Sequence, residues 1–503
     1  MRSNSLLLFI LVSLNVASAL SSGAETVGAG THIHIGTQAK PKAKPQPIVN
    51  RPPTAPKTTP STNKPAPQLN PPSTPKSPLP ATTPVPASKL PPARSCKQLA
   101  VEEAIFEQLD QEENTLNGFD KRSPHADLVR RGKPKEPKGK NRPCGANKFA
   151  SNNFESFGVE KVQNPDAPVY GYQVADSCDS YSWYRGETRR NLKPTLQNYH
   201  TEHVLEWQTV ADFFGKYLVT HFNSRQFQSP DPEDTNAGKR NSDKFCPTWK
   251  MMWAERPADQ TFALVTGGER RTPFQHIADV YPSSEARTPN YRNEFTLLQA
   301  QLNTLKSRFF STSVLYDEQD KTKKGKRQIG MINLVKEEPR QAILRLRNVL
   351  GVRKYLDQAK VRTSMRDVKT RLQTRFDALE TALALPANRR VIPPATGRRP
   401  VTGRTFDPWQ PLGLGGLWHT YMNALWAEAK QKHEGFLQKW HQKVYETYCT
   451  PALKKNSRDA TSDSQQVLLR KRNTRDACPM LEAFRKEWNN SKKTPTAFSR
   501  PWP

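Results

Sequence analysis

The clearest structural signal in the sequence is the stretch MRDVKTRLQTRFDALETAL at residues 365–383. Its apolar side chains recur every three or four positions: Met365, Val368, Leu372, Phe376, Leu379 and Leu383. On an α-helix, residues at these intervals share one face, and the pattern stops before Pro386. The stretch therefore predicts a long amphipathic helix, which needs other helices to cover its apolar face.

Other segments repeat this periodicity. They are His200 to His221, Phe295 to Phe309, Ile343 to Leu356 with Pro339 in the first turn, Trp418 to Tyr448, and Met480 to Trp488. Long helices with one apolar face bury it by packing together. We therefore expect a mainly α fold: a helical bundle with an irregular, disulfide-tethered N-terminal part, preceded by a disordered Pro-rich segment. Its helical domain spans residues 144–386, a linker loop follows at 387–411, and the C-terminal helices at 412–503 pack on the same domain.

Composition limits the protein class. The 503 residues include 77 Lys and Arg against 47 Asp and Glu, a net charge of +30, and 44 prolines against 24 glycines. Only 35% of the residues are hydrophobic. These values exclude a membrane bundle, a collagen-like fibre and one uniformly packed domain.

Residues 1–19 have the three parts of a secretory signal. Arg2 is basic, Leu6 to Val12 are apolar, and Ala17-Ser18-Ala19 supplies the small residues of a cleavage site. The apolar run is shorter than the roughly 20 residues that span a bilayer, so a membrane anchor fits less well. We expect a secreted, extracellular protein without stable membrane insertion.

Six cysteines then favour three disulfides, because an exported chain meets an oxidising environment. They are Cys96, Cys144, Cys178, Cys246, Cys449 and Cys478. Cys449 and Cys478 flank a polar stretch, which favours their pairing. Local pairing is also the simplest expectation for Cys96 with Cys144, although six thiols allow 15 pairings.

The segment at residues 20–95 is rich in Pro, Thr and Lys. Between residues 41 and 92 it has 18 prolines, no acidic residue and no aromatic residue. Such a segment buries too little apolar area to offset the entropy of ordering, so it predicts disorder. It can serve as a passive spacer or as a polybasic tether.

Residues 96–143 form a basic segment that begins with a predicted helix at Val101 to Leu116. The dibasic pairs Lys121-Arg122 and Arg130-Arg131 follow. In a secreted chain, such pairs are sites for a processing protease after Arg122 and Arg131. A basic stretch also contains dibasic pairs by chance.

The best candidate for chemistry is His200-Thr201-Glu202-His203, followed by Glu206. On the predicted helix, His200 and His203 are neighbours, and Glu206 lies one turn beyond His203. Such a group could bind zinc or act as acid and base. The spacing differs from H-E-x-x-H and no third ligand is evident, so the alternative is a polar helix start whose histidines bond to a loop. The sequence predicts no cofactor.

The excess of positive charge points to an anionic partner. Eleven basic residues lie between Arg340 and Arg375. Several of them should form the solvated face of the bundle, and nucleic acid should bind only non-specifically. Asn489-Asn490-Ser491 provides an N-glycosylation acceptor at Asn489.

The segment YHTEHVLEWQ at residues 199–208, with Val280-Tyr281-Pro282 further on, resembles uncharacterised secreted fungal proteins that share a Y-x-T-E-H-V-L-E-x-Q segment. Similar segments occur alone or beside chitinase-like modules. The resemblance implies an exported, wall-associated or effector-like protein and transfers no catalytic residue. The chitinase signature D-x-x-D-x-D-x-E is missing from this chain.

Two functions follow from the sequence. The first is a secreted, basic, non-enzymatic interaction protein that binds an anionic surface, a cell-wall glycan or a host protein. The second is a secreted hydrolase or toxin-type enzyme that uses His200, Glu202, His203 and Glu206.

Overall fold

The computed structural model describes residues 94–103, 143–146, 149, 166–188, 199–232, 244–254, 256, 259–283, 291–323, 326–392, 404–451, 465–493 and 498–503. The predicted signal, nearly all of the Pro-rich segment, and the processing sites at Arg122 and Arg131 lie outside these residues, as does the predicted helix beyond residue 103.

Helices dominate the described residues, as the sequence predicts. They are α1 (residues 96–103), α2 (Trp207–Asp212, continued by Phe213–Tyr217 and Leu218–His221), α3 (Phe245–Trp249, continued by Lys250–Ala254), α4 (Pro273–Ala278), α5 (Ala300–Phe309), α6 (Met331–Glu337), α7 (Pro339–Leu356), α8 (Ala359–Ala384), α9 (Leu414–Val444, continued by Tyr445–Cys449) and α10 (Gln465–Lys492). Short 3₁₀ turns lie at Pro143–Gly145, Arg292–Glu294 and Pro386–Asn388. Within this part of the chain, no helix is long and apolar enough to cross a bilayer.

One four-stranded sheet packs with the helices. Its strands are β1 (Pro168–Tyr172), β2 (Trp183–Thr188), β3 (Tyr199–Glu202) and β4 (Thr296–Gln299), in the spatial order β2-β1-β4-β3. The β1–β4 pair is parallel, and the other two pairs are antiparallel. Two small ribbons join β5 (Lys321–Lys323) to β6 (Lys326–Gln328) and β7 (Val391–Ile392) to β8 (Arg404–Thr405).

Helix α7 occupies the centre of the fold. It packs against α5, α9, α10 and strand β1, and nearly all its residues are buried. Pro339 is its first residue, where the missing N–H costs no helical hydrogen bond. Because neighbours surround α7, its basic side chains do not form the expected solvated face: Arg345, Arg347 and Arg353 are buried.

The buried arginines of α7 have specific partners. Arg345 forms an ion pair with Glu103 of α1, with Nε and Oε1 2.9 Å apart, and both side chains are 1% exposed. Arg347 lies 3.6 Å above the ring of Tyr172 and donates to the backbone carbonyls of Val174 and Ser180. These contacts fix α1 and the β1–β2 connection onto α7.

The predicted helix α8 packs on α9, as its apolar face requires. The indole N–H of Trp418 donates to the Lys369 carbonyl at 3.0 Å. The carboxylate of Glu380 accepts from the backbone N–H groups of Leu412 and Leu414 at the start of α9. An anionic group at this position satisfies N–H donors that a helix start leaves unpaired.

Two of the predicted helices are wrong over their first residues. Tyr199–Glu202 forms β3 and Thr296–Gln299 forms β4, so α2 begins only at Trp207 and α5 at Ala300. All four residues of β4 are buried, because β1 and β3 pair with it on either side. The strand is short and its Leu298 fits the apolar spacing of α5, so periodicity does not distinguish it from a helix.

The last predicted helix is too short. Met480 to Trp488 lies within α10, which extends from Gln465 to Lys492 and contains Pro479. The added N-terminal turns carry Arg470, Lys471 and Arg472, so they lack the apolar spacing that marks a helix in the sequence.

The disulfides confirm one expected pair and overturn another. Cys449 pairs with Cys478, as expected. The expected local pair of Cys96 with Cys144 is wrong, since Cys96 pairs with Cys178 and Cys144 with Cys246. Docking of α1 on α7 brings Cys96 to the β1–β2 connection, where Cys178 lies.

The ion pair between Glu103 and Arg345 predicts that α1 is part of the folded core. We expect Glu103→Gln to lower the free energy of unfolding by about 3–5 kcal/mol, since it leaves a buried guanidinium without its countercharge. The neighbouring Glu102 pairs with Arg94 at the surface, so Glu102→Gln should cost less than about 1 kcal/mol. Urea unfolding of both variants measures the difference, and equal effects would contradict the role of α1.

Candidate functional site

The four residues of the predicted His/Glu group lie at the end of β3 and in the turn after it. His200 and Glu202 belong to the strand, His203 follows it, and Glu206 precedes α2. The helical spacing that would make His200 and His203 neighbours is therefore absent. Glu202 and His203 are buried, at 3% and 7% exposure.

The central member of this group is Lys306 of α5, which is fully buried and which no pattern in the sequence indicated. Its ammonium forms an ion pair with Glu202 and lies 3.3 Å from Oε1 of Glu206. It also donates to the backbone carbonyls of His203 and Val204. The lysine thus ties the turn after β3 to α5, and its two carboxylate partners are about 100 residues earlier in the chain.

Burial controls the protonation of this group. It lowers the pKa of the Lys306 ammonium and raises the pKa of Glu206 to about 7. With Lys306 charged and both glutamates ionised, the group would carry one negative charge in the core. A proton on Glu206 makes it neutral, which is the less costly state in a medium of low dielectric constant.

The imidazole ring of His203 packs against two aromatic rings. It stacks on Tyr281 at 4.9 Å and meets Phe295 edge-on at 4.7 Å, measured between ring centroids. Burial lowers its pKa to about 3, against a hydrogen bond to the Pro282 carbonyl that favours the charged form. The ring is therefore neutral near pH 7, which removes it as a proton donor at that pH.

These contacts make the His/Glu group a structural element. Among the described residues, no set of three or more His, Cys, Asp or Glu side chains is placed to hold a metal ion. None of the four predicted residues lines the cleft that lies between β2, α7 and α10. The hypothesis of a hydrolase or toxin-type enzyme remains a prediction without support from this arrangement.

A cleft of about 580 Å³ lies between β2, the β1–β2 connection, α7 and α10. This Lys354 cleft is lined by Gln173, Asp179, Tyr181, Ser182, Trp183, Arg185, Lys354, Ala483, Lys486 and Glu487. Its volume is typical of small-ligand sites, and its lining is more polar than most. Of this set, Lys354 belongs to the run of basic residues between Arg340 and Arg375 that the sequence shows.

Lys354 projects from the end of α7 into this cleft. Its ammonium lies 2.6 Å from Oε1 of Glu487 on α10 and donates to the Tyr181 carbonyl at 3.2 Å. The ring centroid of Trp183 is 5.3 Å away, within the range of a cation–π contact. Burial lowers the pKa of Lys354, while the hydrogen bond and the charge of Glu487 raise it.

Hydrogen bonds and a disulfide restrain one wall of the Lys354 cleft. Residues 173–182 connect β1 to β2, and Arg347 binds their carbonyls from the core side. The disulfide of Cys96 with Cys178 fixes the same connection to α1. A wall restrained in this way loses little entropy when a ligand binds.

Helix α10 presents a basic surface beside the cleft. It has seven basic and three acidic residues, a net charge of +4 (7 − 3). Exposed basic side chains of the helix and of the residue after it form what we term the α10 basic surface: Arg470, Arg475, Arg485, Lys486, Lys492 and Lys493. The predicted glycosylation site, Asn489, is exposed on the same helix.

Comparison with known proteins gives no relative: the chain matches no protein-family model, no curated protein and no solved structure at a significant level. The resemblance to secreted fungal proteins therefore stays a prediction.

The raised pKa of Glu206 predicts a pH-dependent stability. A carboxyl whose pKa is higher in the folded state stabilises the protein below its ordinary value of 4.5, and this contribution is lost as pH rises through about 7. From this group alone, the wild type should lose roughly 2–3 kcal/mol of unfolding free energy between pH 5 and pH 8. We expect Glu206→Gln to remove that loss in urea unfolding at the two pH values.

The control is Glu269→Gln, because the side chain of Glu269 is 71% exposed. This variant should follow the wild type at both pH values. If Glu206→Gln also follows the wild type, Glu206 does not hold a proton in the folded core.

Proposed function

We propose that this protein is a secreted, non-enzymatic binding protein for anionic polymers, of which an acidic extracellular glycan is the best fit. The observation that carries the proposal is the α10 basic surface, where six exposed cationic side chains lie on one helix and the residue after it. A cluster of this kind raises the local concentration of a polyanion and speeds its association.

The positions of the other basic residues support this assignment. Arg345 and Arg347 of α7 are used inside the fold, and Arg371 of α8 makes a bidentate ion pair with Glu294. On α10, Arg475 pairs with Asp476 but keeps a side chain that is 78% exposed. The net charge of the chain thus overstates its binding surface, and α10 is one of the helices that keep exposed cations.

An extracellular location favours a glycan over nucleic acid as the polymer. The proposal of secretion rests on the predicted signal at residues 1–19, and the three disulfides are compatible with an oxidising compartment. Counterion release would also allow nucleic acid to bind in solution, without base-specific contacts.

The test is retention on immobilised heparin. We expect the wild type to bind at low salt and to elute by about 0.5 M NaCl, where the screening length has fallen to roughly 4–5 Å. A triple variant, Arg470→Gln, Arg475→Gln and Arg485→Gln, should elute earlier. If each contact contributes about 0.7 to the slope of log affinity against log salt, as in single-stranded nucleic acid, the slope should fall by about 2.

A matched triple variant removes the same charge elsewhere: Lys216→Gln, Lys321→Gln and Lys439→Gln. These lysines are about half exposed and lie in surface ion pairs on other elements. The control should elute close to the wild type. Equal losses in the two triple variants would show that net charge alone sets retention, and no retention at low salt would overturn the proposed function.

A further inference from the structure

We propose that the Lys354 cleft is a binding site for a single uronic acid unit, a sugar with a ring carboxylate, and that this carboxylate replaces Glu487 on Lys354. The inference deepens the proposed function, on which it rests, by naming the sugar class that the cleft accepts. A polymer lying along the α10 basic surface could place one of its units in the cleft, since Lys486 belongs to both.

The choice of a carboxylate follows from what Lys354 already binds. Its ammonium is only partly exposed, with 16% of the side chain accessible, and is held by the Tyr181 carbonyl and two aromatic rings. The Glu487 carboxylate is the remaining partner of this ammonium, with Nζ of Lys354 and Oε1 of Glu487 2.6 Å apart. Glu487 therefore stands in for the ligand group, and its chemistry indicates the group that fits.

The rest of the lining offers partners for sugar hydroxyls. They can donate to Asp179 and accept from Arg185 and Lys486. Ser182 and Gln173 add groups that both donate and accept. A site that mixes acids, bases and amides around a polar cavity matches the alternating donors and acceptors of a pyranose.

Glu487 is a built-in competitor for the ligand. Its side chain is 26% exposed and extends from a surface helix, so it can leave Lys354 without opening the core. While it stays, its negative charge opposes an incoming carboxylate. Replacing Glu487 with Gln removes the charge and keeps the shape, so ligand binding should become tighter. In this respect Glu487 differs from Lys354, whose loss should weaken binding.

The experiment is a calorimetric titration with a trimer of 1,4-linked galacturonic acid, using the full-length mature protein. The matched ligand is the fully methyl-esterified trimer, which has the same rings and no charge. We expect the acid trimer to bind the wild type and the ester to bind at least about tenfold more weakly. Lys354→Met should weaken acid-trimer binding by about tenfold or more, and Glu487→Gln should strengthen it by about fivefold.

The control variants are Lys439→Met and Glu318→Gln, the same substitutions in a surface ion pair outside the cleft. They should leave binding of the trimer unchanged. Thermal melts of every variant check that it is folded, and a Lys354→Arg variant, which keeps the charge, should retain part of the binding if Lys354→Met is unstable.

Three results would overturn the inference: no binding of the acid trimer to the folded wild type, equal binding of acid and ester, or no gain in Glu487→Gln. These failures are separable from failure of the proposed function. If heparin is retained while the trimer does not bind, only the uronate site is wrong. If the trimer binds while heparin is not retained, the α10 basic surface is wrong and the cleft stands by itself.

Discussion

The fold depends on enclosing one basic helix, α7, on nearly every side. It carries five basic residues and no acidic one, yet all but two of its residues after Pro339 are buried. Moving a guanidinium out of water is costly unless partners replace the lost hydration. Two neighbours of α7 supply such partners: α1 supplies Glu103, and the β1–β2 connection supplies carbonyls for Arg347. This need makes residues near the N-terminal end of the described chain part of the same folding unit.

The enclosure of α7 also determines where the proposed binding surface lies. Arg345 and Arg347 of α7 and Arg371 of α8 bind partners inside the fold, so they contribute little to the surface that a polyanion contacts. Helix α10 packs on α7 through its apolar face and leaves its own cations outside. Lys354 stands at the boundary, near the last turn of α7, where the helix meets solvent between β2 and α10. The cleft is thus where the enclosure of the central helix is incomplete.

Periodicity predicted the helices whose apolar residues face one partner, such as α8 and α9, and it failed where burial is two-sided. Leu297 and Leu298 of β4 continue the spacing of α5, and only pairing with β1 and β3 reveals a strand. Contacts between residues that are far apart in the sequence could not be predicted either. Cys96 meets Cys178, and Lys306 meets Glu202, because the sheet and helices assemble around α7, and neither pair leaves a local trace in the sequence. The Lys354 cleft was missed for the same reason, since its lining comes from four separate segments.

The His/Glu segment illustrates why residue type alone is weak support for catalysis. Its Glu202 neutralises Lys306, its His203 fills a space between two aromatic rings, and the Leu205 carbonyl accepts from the Tyr281 hydroxyl. Each contact fastens the turn after β3 to α5 or to the residues after α4. A polar motif that makes such structural contacts must keep its residues to preserve the fold, whether or not the protein has a substrate. Other chains that share this segment should therefore carry a buried lysine in the position of Lys306, as the partner that the motif requires.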